Sequence, residues 1–191
     1  LGKIDLPRGY KYVIGGEYKE QQSTFGSLGV ILILAQVAIF AVLVLQFRSV
    51  LQPFIVFSAI PLAICGSFIA LYLTGWPFSF FAFVGLISLI GIVVNNSIIL
   101  VDYINQLVEE GQMTLQEAII TGSKRRFKPI VLTSITTILG LVPLTMQRTN
   151  QWSPLTITII GGMISSTVLA LVVVPVLYKW FTKPPTPKGE L

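Results

Sequence analysis

Five long apolar stretches fill most of this chain, at residues 28–47, 53–73, 79–104, 129–146 and 155–178. Inside them, Asp102 is the one residue with a formal charge. A helix of about 20 apolar residues spans the roughly 30 Å hydrocarbon core of a bilayer. Charged residues make up 11% of the chain, whereas soluble domains contain about 25%. The sequence therefore predicts an all-α membrane protein with five transmembrane helices.

The basic residues between these stretches indicate how the helices are oriented. One side of the membrane receives the basic residues Arg48, Lys179 and those of the run 124–128. In the short loops of the other side, Arg148 is the only basic residue. Because Lys and Arg are enriched in cytoplasmic loops, the C-terminus is predicted to be cytoplasmic. The basic tail before the first stretch would then lie outside, which suggests that it belongs to an external domain of a longer protein.

The sequence divides into three predicted segments. Residues 1–26 are the end of an external domain, with a short strand at 9–14 and a helical lead-in from Glu17. Residues 27–181 form the transmembrane domain, and 182–191 form a cytoplasmic tail. Thr114 and Glu117 fit a capping box, so a short amphipathic helix at 114–122, ended by Gly122, is predicted on the cytoplasmic side. Pro129 would then open the fourth span at its first position.

A basic run, Lys124 to Lys128, follows this predicted helix. One interpretation is a site for lipid or for proton entry. The other is ordinary anchoring of the helix on the positive-inside side of the membrane. The sequence leaves both open.

Polar residues inside the membrane form two stripes. Ser88, Asn95 and Asp102 recur every seven residues, so they share a helix face, with Asn96 beside them. Thr133, Thr136 and Thr137, with Gly140, form a second stripe on the fourth span. Intramembrane polar residues mark functional sites, although Asn and Ser hydrogen bonds also serve helix packing at about 0.6–2 kcal/mol. We expect Thr133 to face the bundle near Asn95, with water or a carboxylate bridging the two side chains.

The last span contains a small-residue surface. It comprises Gly161, Gly162, Ser165 and Ser166. Small residues let two helix backbones approach closely. The sequence therefore predicts tight packing of this span against a neighbour.

The composition argues against several kinds of site. The chain has no histidine, and its single cysteine, Cys65, lies within a predicted span. No phosphate-binding loop or nucleophile elbow occurs. We therefore predict neither an enzyme active site nor a cofactor or metal site, and the small basic excess is explained by topology rather than by nucleic acid.

Several short motifs occur in a fixed order along the chain. They are GIVVNNSIILVDY at 91–103, EEG at 109–111, EA at 117–118, RFKPIVLTS at 126–134 and GLVPL at 140–144. Together they resemble the C-terminal membrane region of resistance-nodulation-division (RND) efflux transporters of the acriflavine-resistance type. LPRGY at 6–10 and GGE at 15–17 are similar to the last strand of that family's periplasmic porter domain.

The resemblance implies a proton-driven exporter of drugs or other amphiphilic compounds. Its full chain would have twelve spans in two related halves, and this chain would hold spans eight to twelve. The implied location is the bacterial inner membrane. The implied partners are the missing N-terminal half, two further copies in a homotrimer, a periplasmic adaptor and an outer-membrane channel.

The resemblance also implies roles for three residues. In the family, a proton relay joins two aspartates of the fourth span to a lysine and a threonine, with an arginine nearby. The threonine corresponds to Thr133 and the arginine to Arg126, whereas Asn95 occupies the lysine position. Asn95 cannot ionise, but it can hydrogen-bond to a carboxyl group. Ser88, Asn96, Asp102 and Thr137 would form a secondary polar seam.

Two other functions remain as alternatives. A related membrane factor that assists protein secretion would have a small external domain, and the GGE lead-in argues against it. A non-transporting membrane scaffold or sensor would lack a carboxylate facing Asn95 in the missing half.

Overall fold

The structure, a computed structural model, describes residues 17–111 and 113–182, with side chains from residue 28 onward. The predicted strand at 9–14 and the tail from residue 183 lie outside the described residues. The described part forms helices α1 (Glu17–Phe47), α2 (Leu51–Phe57), α3 (Ala59–Thr74), α4 (Phe80–Glu109), α5 (Leu115–Met146) and α6 (Trp152–Phe181).

Five helical stretches in the described chain are long and apolar enough to cross a membrane. They are Leu28–Phe47, Leu51–Thr74, Phe80–Glu109, Leu115–Met146 and Trp152–Phe181. The prediction of an all-α fold with five membrane spans is therefore confirmed for the described residues.

The chain divides into two compact units, Leu1–Val37 and Ala38–Leu191. In the first unit, α1 begins at Glu17, so the lead-in and the first span belong to one helix. The packing described below lies within the second unit.

The second span is divided into two helices at Ser58. Pro61 has no backbone N–H to offer the carbonyl of Phe57, and its ring crowds that carbonyl. At this break, the Ser58 hydroxyl donates a hydrogen bond to the carbonyl of Ile55 at 2.6 Å. The short α2 and the longer α3 therefore replace the single predicted helix.

Helix α5 is longer than the sequence predicts. The capping box that opens it is confirmed: Glu117 N donates to the Thr114 hydroxyl at 3.3 Å, and Thr114 N donates to the Glu117 carboxylate at 3.0 Å. The helix then continues for 32 residues, about 48 Å at 1.5 Å per residue, which exceeds the roughly 30 Å hydrocarbon core. The surface helix and the fourth span are thus one continuous helix.

Two sequence-based expectations about α5 are therefore wrong. Gly122 does not end a helix: a Cβ there would lie 2.8 Å from Cγ1 of Ile104, so the glycine permits close crossing of α4. Pro129 does not open a helix but lies inside α5. It supplies no N–H to the carbonyl of Arg125, and the helix nevertheless continues on both sides of it.

Helix α6 lies at the centre of the second unit and packs against α2, α3, α4 and α5. It approaches α3 closely, because a Cβ added at Gly66 would overlap the Cβ of Ser165. The Ser165 hydroxyl donates to the carbonyl of Leu62 at 2.9 Å, and the Ser67 hydroxyl donates to the carbonyl of Thr158 at 2.9 Å. The predicted small-residue surface of the last span is confirmed.

Candidate functional site

The polar stripe of α4 lies on a face that helices α2, α3, α5 and α6 leave open. Ser88 and Asn95 are exposed, and Asp102 is half-buried. A Cβ built at Gly91, on the same face, would have no neighbour within 4 Å. The Ser88 hydroxyl is bonded to its own helix, at the carbonyl of Val84 (3.0 Å), and Asp102 accepts from Nε2 of Gln106 at 2.9 Å. The opposite face of α4 carries the buried side chains.

The threonine stripe of α5 is open in the same way. Thr133 is exposed and Thr137 is half-buried. The Thr133 hydroxyl donates to the carbonyls of Pro129 (3.1 Å) and Ile130 (2.9 Å), and the Thr137 hydroxyl donates to the carbonyl of Thr133 at 2.9 Å. A Cβ at Gly140 would have no neighbour within 4 Å. These hydroxyls are satisfied within the helix, yet each keeps acceptor capacity toward the open side.

Within the described chain, no hydrogen bond joins Asn95 to Thr133. Both side chains are exposed. Ser134, the next residue of α5, instead packs inward, where its hydroxyl lies 2.8 Å from that of Thr167. A bridge between Asn95 and Thr133 by water or a carboxylate therefore stays a prediction.

Arg126 is held against α4 by an aromatic ring. Its guanidinium carbon lies 4.4 Å from the centroid of the Tyr103 ring, a cation–π distance. Nη1 of Arg125 donates to the hydroxyl of the same tyrosine at 2.9 Å. The Nε atom of Arg126 is buried and has no hydrogen-bond partner among the described residues. The two arginines thus both contact Tyr103, the residue that follows Asp102.

The predicted secondary seam does not form one continuous face. Asn96 lies about 100° around α4 from Asn95 and lines a small cavity of about 20 Å³ between α4, α5 and α6. Ser97, beside it, is 3% exposed, and its hydroxyl has no hydrogen-bond partner among the described residues. A cavity of this size has room for one water molecule. Ser88 and Asp102 therefore belong to the open face, whereas the half-buried Asn96 lines the cavity between the helices.

A second polar cluster, which the sequence analysis missed, ties three helices together. Asn105 of α4 and Gln52 of α2 exchange two amide hydrogen bonds, at 3.0 and 2.9 Å. The hydroxyl of Tyr178 on α6, itself 1% exposed, also donates to Oδ1 of Asn105. The three residues are far apart in sequence, so no periodic pattern linked them.

Nothing in the described part of the chain groups three or more Cys, His, Asp or Glu residues as a metal site would require. The polar chemistry on the open faces consists of amide, hydroxyl and guanidinium groups, with Asp102 as the carboxylate of the α4 stripe. Such groups can hydrogen-bond to a carboxyl group in either protonation state, but Asn and Thr cannot themselves carry a proton across.

Comparison with known proteins identifies the family. The model of the AcrB/AcrD/AcrF family matches residues 1–182. Protein HelA of Legionella pneumophila is 37% identical over 183 residues, which cover 94% of this chain and 17% of HelA. The cobalt-zinc-cadmium resistance protein CzcA of Cupriavidus metallidurans is 34% identical over 180 residues, covering 93% and 17%. Multidrug resistance protein MdtC of Proteus mirabilis is 34% identical over 184 residues, covering 95% and 18%.

The solved structures agree with the sequence relatives. An X-ray structure of a heavy metal efflux pump, in its second crystal form, matches with a TM-score of 0.75 and 30% identity, over 91% of this chain and 18% of that protein. The chain thus spans less than one fifth of the length of the relatives it matches. From the family model, the sequence relatives and this shared helical architecture, we conclude that the chain belongs to the AcrB/AcrD/AcrF family of RND efflux transporters.

Proposed function

We propose that this chain is the C-terminal membrane part of a secondary transporter that uses the proton-motive force to export drugs or other amphiphilic compounds. The observation that carries this proposal is the pair of open polar faces, Ser88–Asn95–Asp102 on α4 and Thr133–Thr137 on α5. Polar groups cost free energy in hydrocarbon unless they find partners. Faces of this kind therefore fit a bundle completed by helices from the N-terminal half of the same transporter.

In this proposal, Asn95, Thr133 and Arg126 take part in proton coupling with carboxylates of that missing half. Asn95 hydrogen-bonds to a carboxyl group whether that group is protonated or ionised, because the amide both donates and accepts. It cannot compete with the proton through a positive charge, as a lysine does. Arg126, stacked on Tyr103, supplies a permanent positive charge on α5 beside the residue that follows Asp102.

The remaining organisation follows the same proposal. Residues 1–26 end the periplasmic porter domain, 27–181 are spans eight to twelve, and 182–191 are a cytoplasmic tail. The protein lies in the bacterial inner membrane with its C-terminus in the cytoplasm, as a homotrimer that joins a periplasmic adaptor and an outer-membrane channel. Membership of the transporter family argues against the alternatives of a secretion factor or an inert scaffold.

A second substrate class has support of its own. The relatives HelA and CzcA are 37% and 34% identical to this chain. CzcA is named for resistance to cobalt, zinc and cadmium, and a relative of known structure is a heavy metal efflux pump. The multidrug relative MdtC is also 34% identical, so sequence identity does not distinguish between metal cations and drugs as the substrate. Export of divalent metal cations is therefore the second candidate function.

One experiment tests the coupling and the substrate together. The full-length transporter is reconstituted in proteoliposomes with an imposed pH gradient, and the collapse of that gradient is followed with a pH-sensitive dye. A cationic amphiphilic drug added to the vesicles is expected to accelerate the collapse. Acceleration by Zn²⁺, Co²⁺ or Cd²⁺ alone would replace the drug assignment with metal export. A gradient that decays at the protein-free rate with every compound would contradict proton coupling.

A further inference from the structure

A groove between α5 and α6 remains outside the proposed proton-coupling site. It has a volume of about 280 Å³ and is lined by Ser123, Lys124, Phe127 and Lys128 of α5 and by Leu171 of α6. Lys124 and Lys128 are one helical turn apart, so both ammonium groups lie on one face. Phe127 is 52% exposed, and the Ser123 hydroxyl is buried without a hydrogen-bond partner among the described residues. We call these five residues the lysine groove.

An exposed apolar stripe continues from the lysines along α5. At 3.6 residues per turn, Ile135 and Val142 lie within about 40° of Lys128 around the helix axis. Ile135 and Val142 are 48% and 38% exposed, and Leu139 and Met146 near them are 64% and 76% exposed. Between Lys124 and Met146, this face of α5 is therefore cationic over its first turn and apolar beyond Lys128, like the profile of a bilayer leaflet.

This stripe is turned away from the polar face of the same helix. Lys124 precedes Thr133 by nine residues, and Val142 follows Thr133 by nine residues. At about 100° per residue, Lys124 and Val142 each lie about 180° around the helix axis from Thr133. Helices that cover the polar face of Thr133 therefore leave the lysine groove on the outer side of α5. The occupant is thus expected from the membrane rather than from the missing half.

The electrostatics select the kind of lipid. Neither Lys124 nor Lys128 forms an ion pair within the described chain, and both are exposed. Two unpaired ammonium groups one turn apart attract a phosphate-bearing anionic headgroup. The apolar side chains of Phe127 and Leu171, which line the groove with the two lysines, fit an acyl chain, which a free phosphate ion lacks.

We propose that the lysine groove binds one anionic phospholipid. Its phosphate accepts hydrogen bonds from Lys124 and Lys128, and an acyl chain follows Phe127 and the apolar stripe toward Met146. This binding does not depend on the transport mechanism, because none of these residues belongs to the proposed proton-coupling site.

Native mass spectrometry of the full-length transporter tests this directly. The purified protein is titrated with dioleoyl-phosphatidylglycerol and, separately, with dioleoyl-phosphatidylcholine, and the first retained lipid is quantified. The unmodified protein is expected to bind phosphatidylglycerol more tightly. The double variant K124Q/K128Q should weaken its binding about 25-fold, since each basic group near a membrane surface contributes about fivefold. The charge-preserving variant K124R/K128R should keep the tight binding.

Two controls make the outcome decisive. K179Q removes an exposed lysine of α6 that lies outside the groove and should leave the first binding step unchanged. Inorganic phosphate at millimolar concentration should not displace the lipid. Equal affinity for the two phospholipids, full displacement by phosphate, or unchanged binding in K124Q/K128Q would each overturn the proposal.

Discussion

The guanidinium of Arg126 lies over the ring of Tyr103, with its central carbon 4.4 Å from the ring centroid. This contact fastens the basic run of α5 to the end of α4, one residue after Asp102. Because Arg125 also bonds the Tyr103 hydroxyl, a single aromatic side chain positions two neighbouring arginines. Arg126 is thereby fixed relative to the open polar face of α4.

Tyr103 allows the two contacts to be separated. Tyr103→Phe keeps the ring under Arg126 and removes only the exposed bond to Arg125, so we expect little change in stability. Tyr103→Leu removes the cation–π contact, which is worth about 0.5–2 kcal/mol. The thermal unfolding midpoint of the purified full-length transporter should therefore fall in the leucine variant alone. Tyr72→Leu, at a residue 86% exposed, is the matched control; equal midpoints for Tyr103→Phe and Tyr103→Leu would argue against the stacking contact.

Asn95 distinguishes proton coupling from helix packing. Asn95→Leu should abolish gradient-driven transport while leaving protein abundance nearly unchanged, because one hydrogen bond in a membrane bundle is worth only about 0.5–2 kcal/mol. Transport is measured in proteoliposomes and abundance by immunoblot of membranes. Normal transport by Asn95→Leu would assign this residue to packing.

Asn95→Lys tests whether carboxylates face this position. If they do, the ammonium is paired, the protein folds, and transport continues with an altered pH dependence. If they do not, an unpaired buried charge should destabilise the bundle strongly. The pH profile of transport, measured beside the unfolding midpoint, separates these outcomes, and a folded variant with an unaltered pH profile would speak against a role in coupling.

Gly161 should not tolerate a side chain. A Cβ at this position would overlap the Cβ of Ala70 and lie 2.8 Å from the carbonyl oxygen of Gly66. Gly161→Val is therefore expected to force α3 and α6 apart, at a cost of about 1–3 kcal/mol or more. Size-exclusion profiles and unfolding midpoints report the loss. Val168→Leu adds bulk at a residue of α6 that is 63% exposed and should be neutral; comparable behaviour of the two variants would refute the close approach.

The cluster of Gln52, Asn105 and Tyr178 should behave as a unit. Tyr178→Phe removes one donor to Asn105 and is expected to cost about 0.5–1.5 kcal/mol. Asn105→Leu leaves both the Gln52 amide and the Tyr178 hydroxyl without their partner and should cost more. In a double-mutant cycle, Tyr178→Phe should have little effect once Asn105 is leucine. Additive changes in the free energy of unfolding would show that Tyr178 and Asn105 act independently.

Hydrophobic runs and local signals were readable directly from the sequence. Each span needs only enough consecutive apolar residues to cross the hydrocarbon core, and the Thr114 capping box needs only neighbours three residues apart. The seven-residue spacing of Ser88, Asn95 and Asp102 likewise fixes a common helix face, because helical periodicity is local.

Gly122 and Pro129 show where local reasoning failed. Glycine and proline both end helices often, so the sequence indicated a boundary at 122 and a new helix at 129. The structure uses Gly122 to let α5 cross α4 at Ile104, and the helix continues through Pro129. Whether such a residue ends a helix depends on what packs against it, which the sequence alone does not state.

By itself, the sequence determined the helical class, the five spans and the periodic polar faces, because hydrophobicity and helical repeat act over short distances along the chain. Tertiary structure alone decided which polar residues meet. It separated Asn96 from the stripe of Asn95, stacked Arg126 on Tyr103, and joined Gln52 to Asn105 and Tyr178. These pairings depend on how helices distant in sequence cross, and small residues such as Gly66 and Gly161 set that geometry by the close packing they allow.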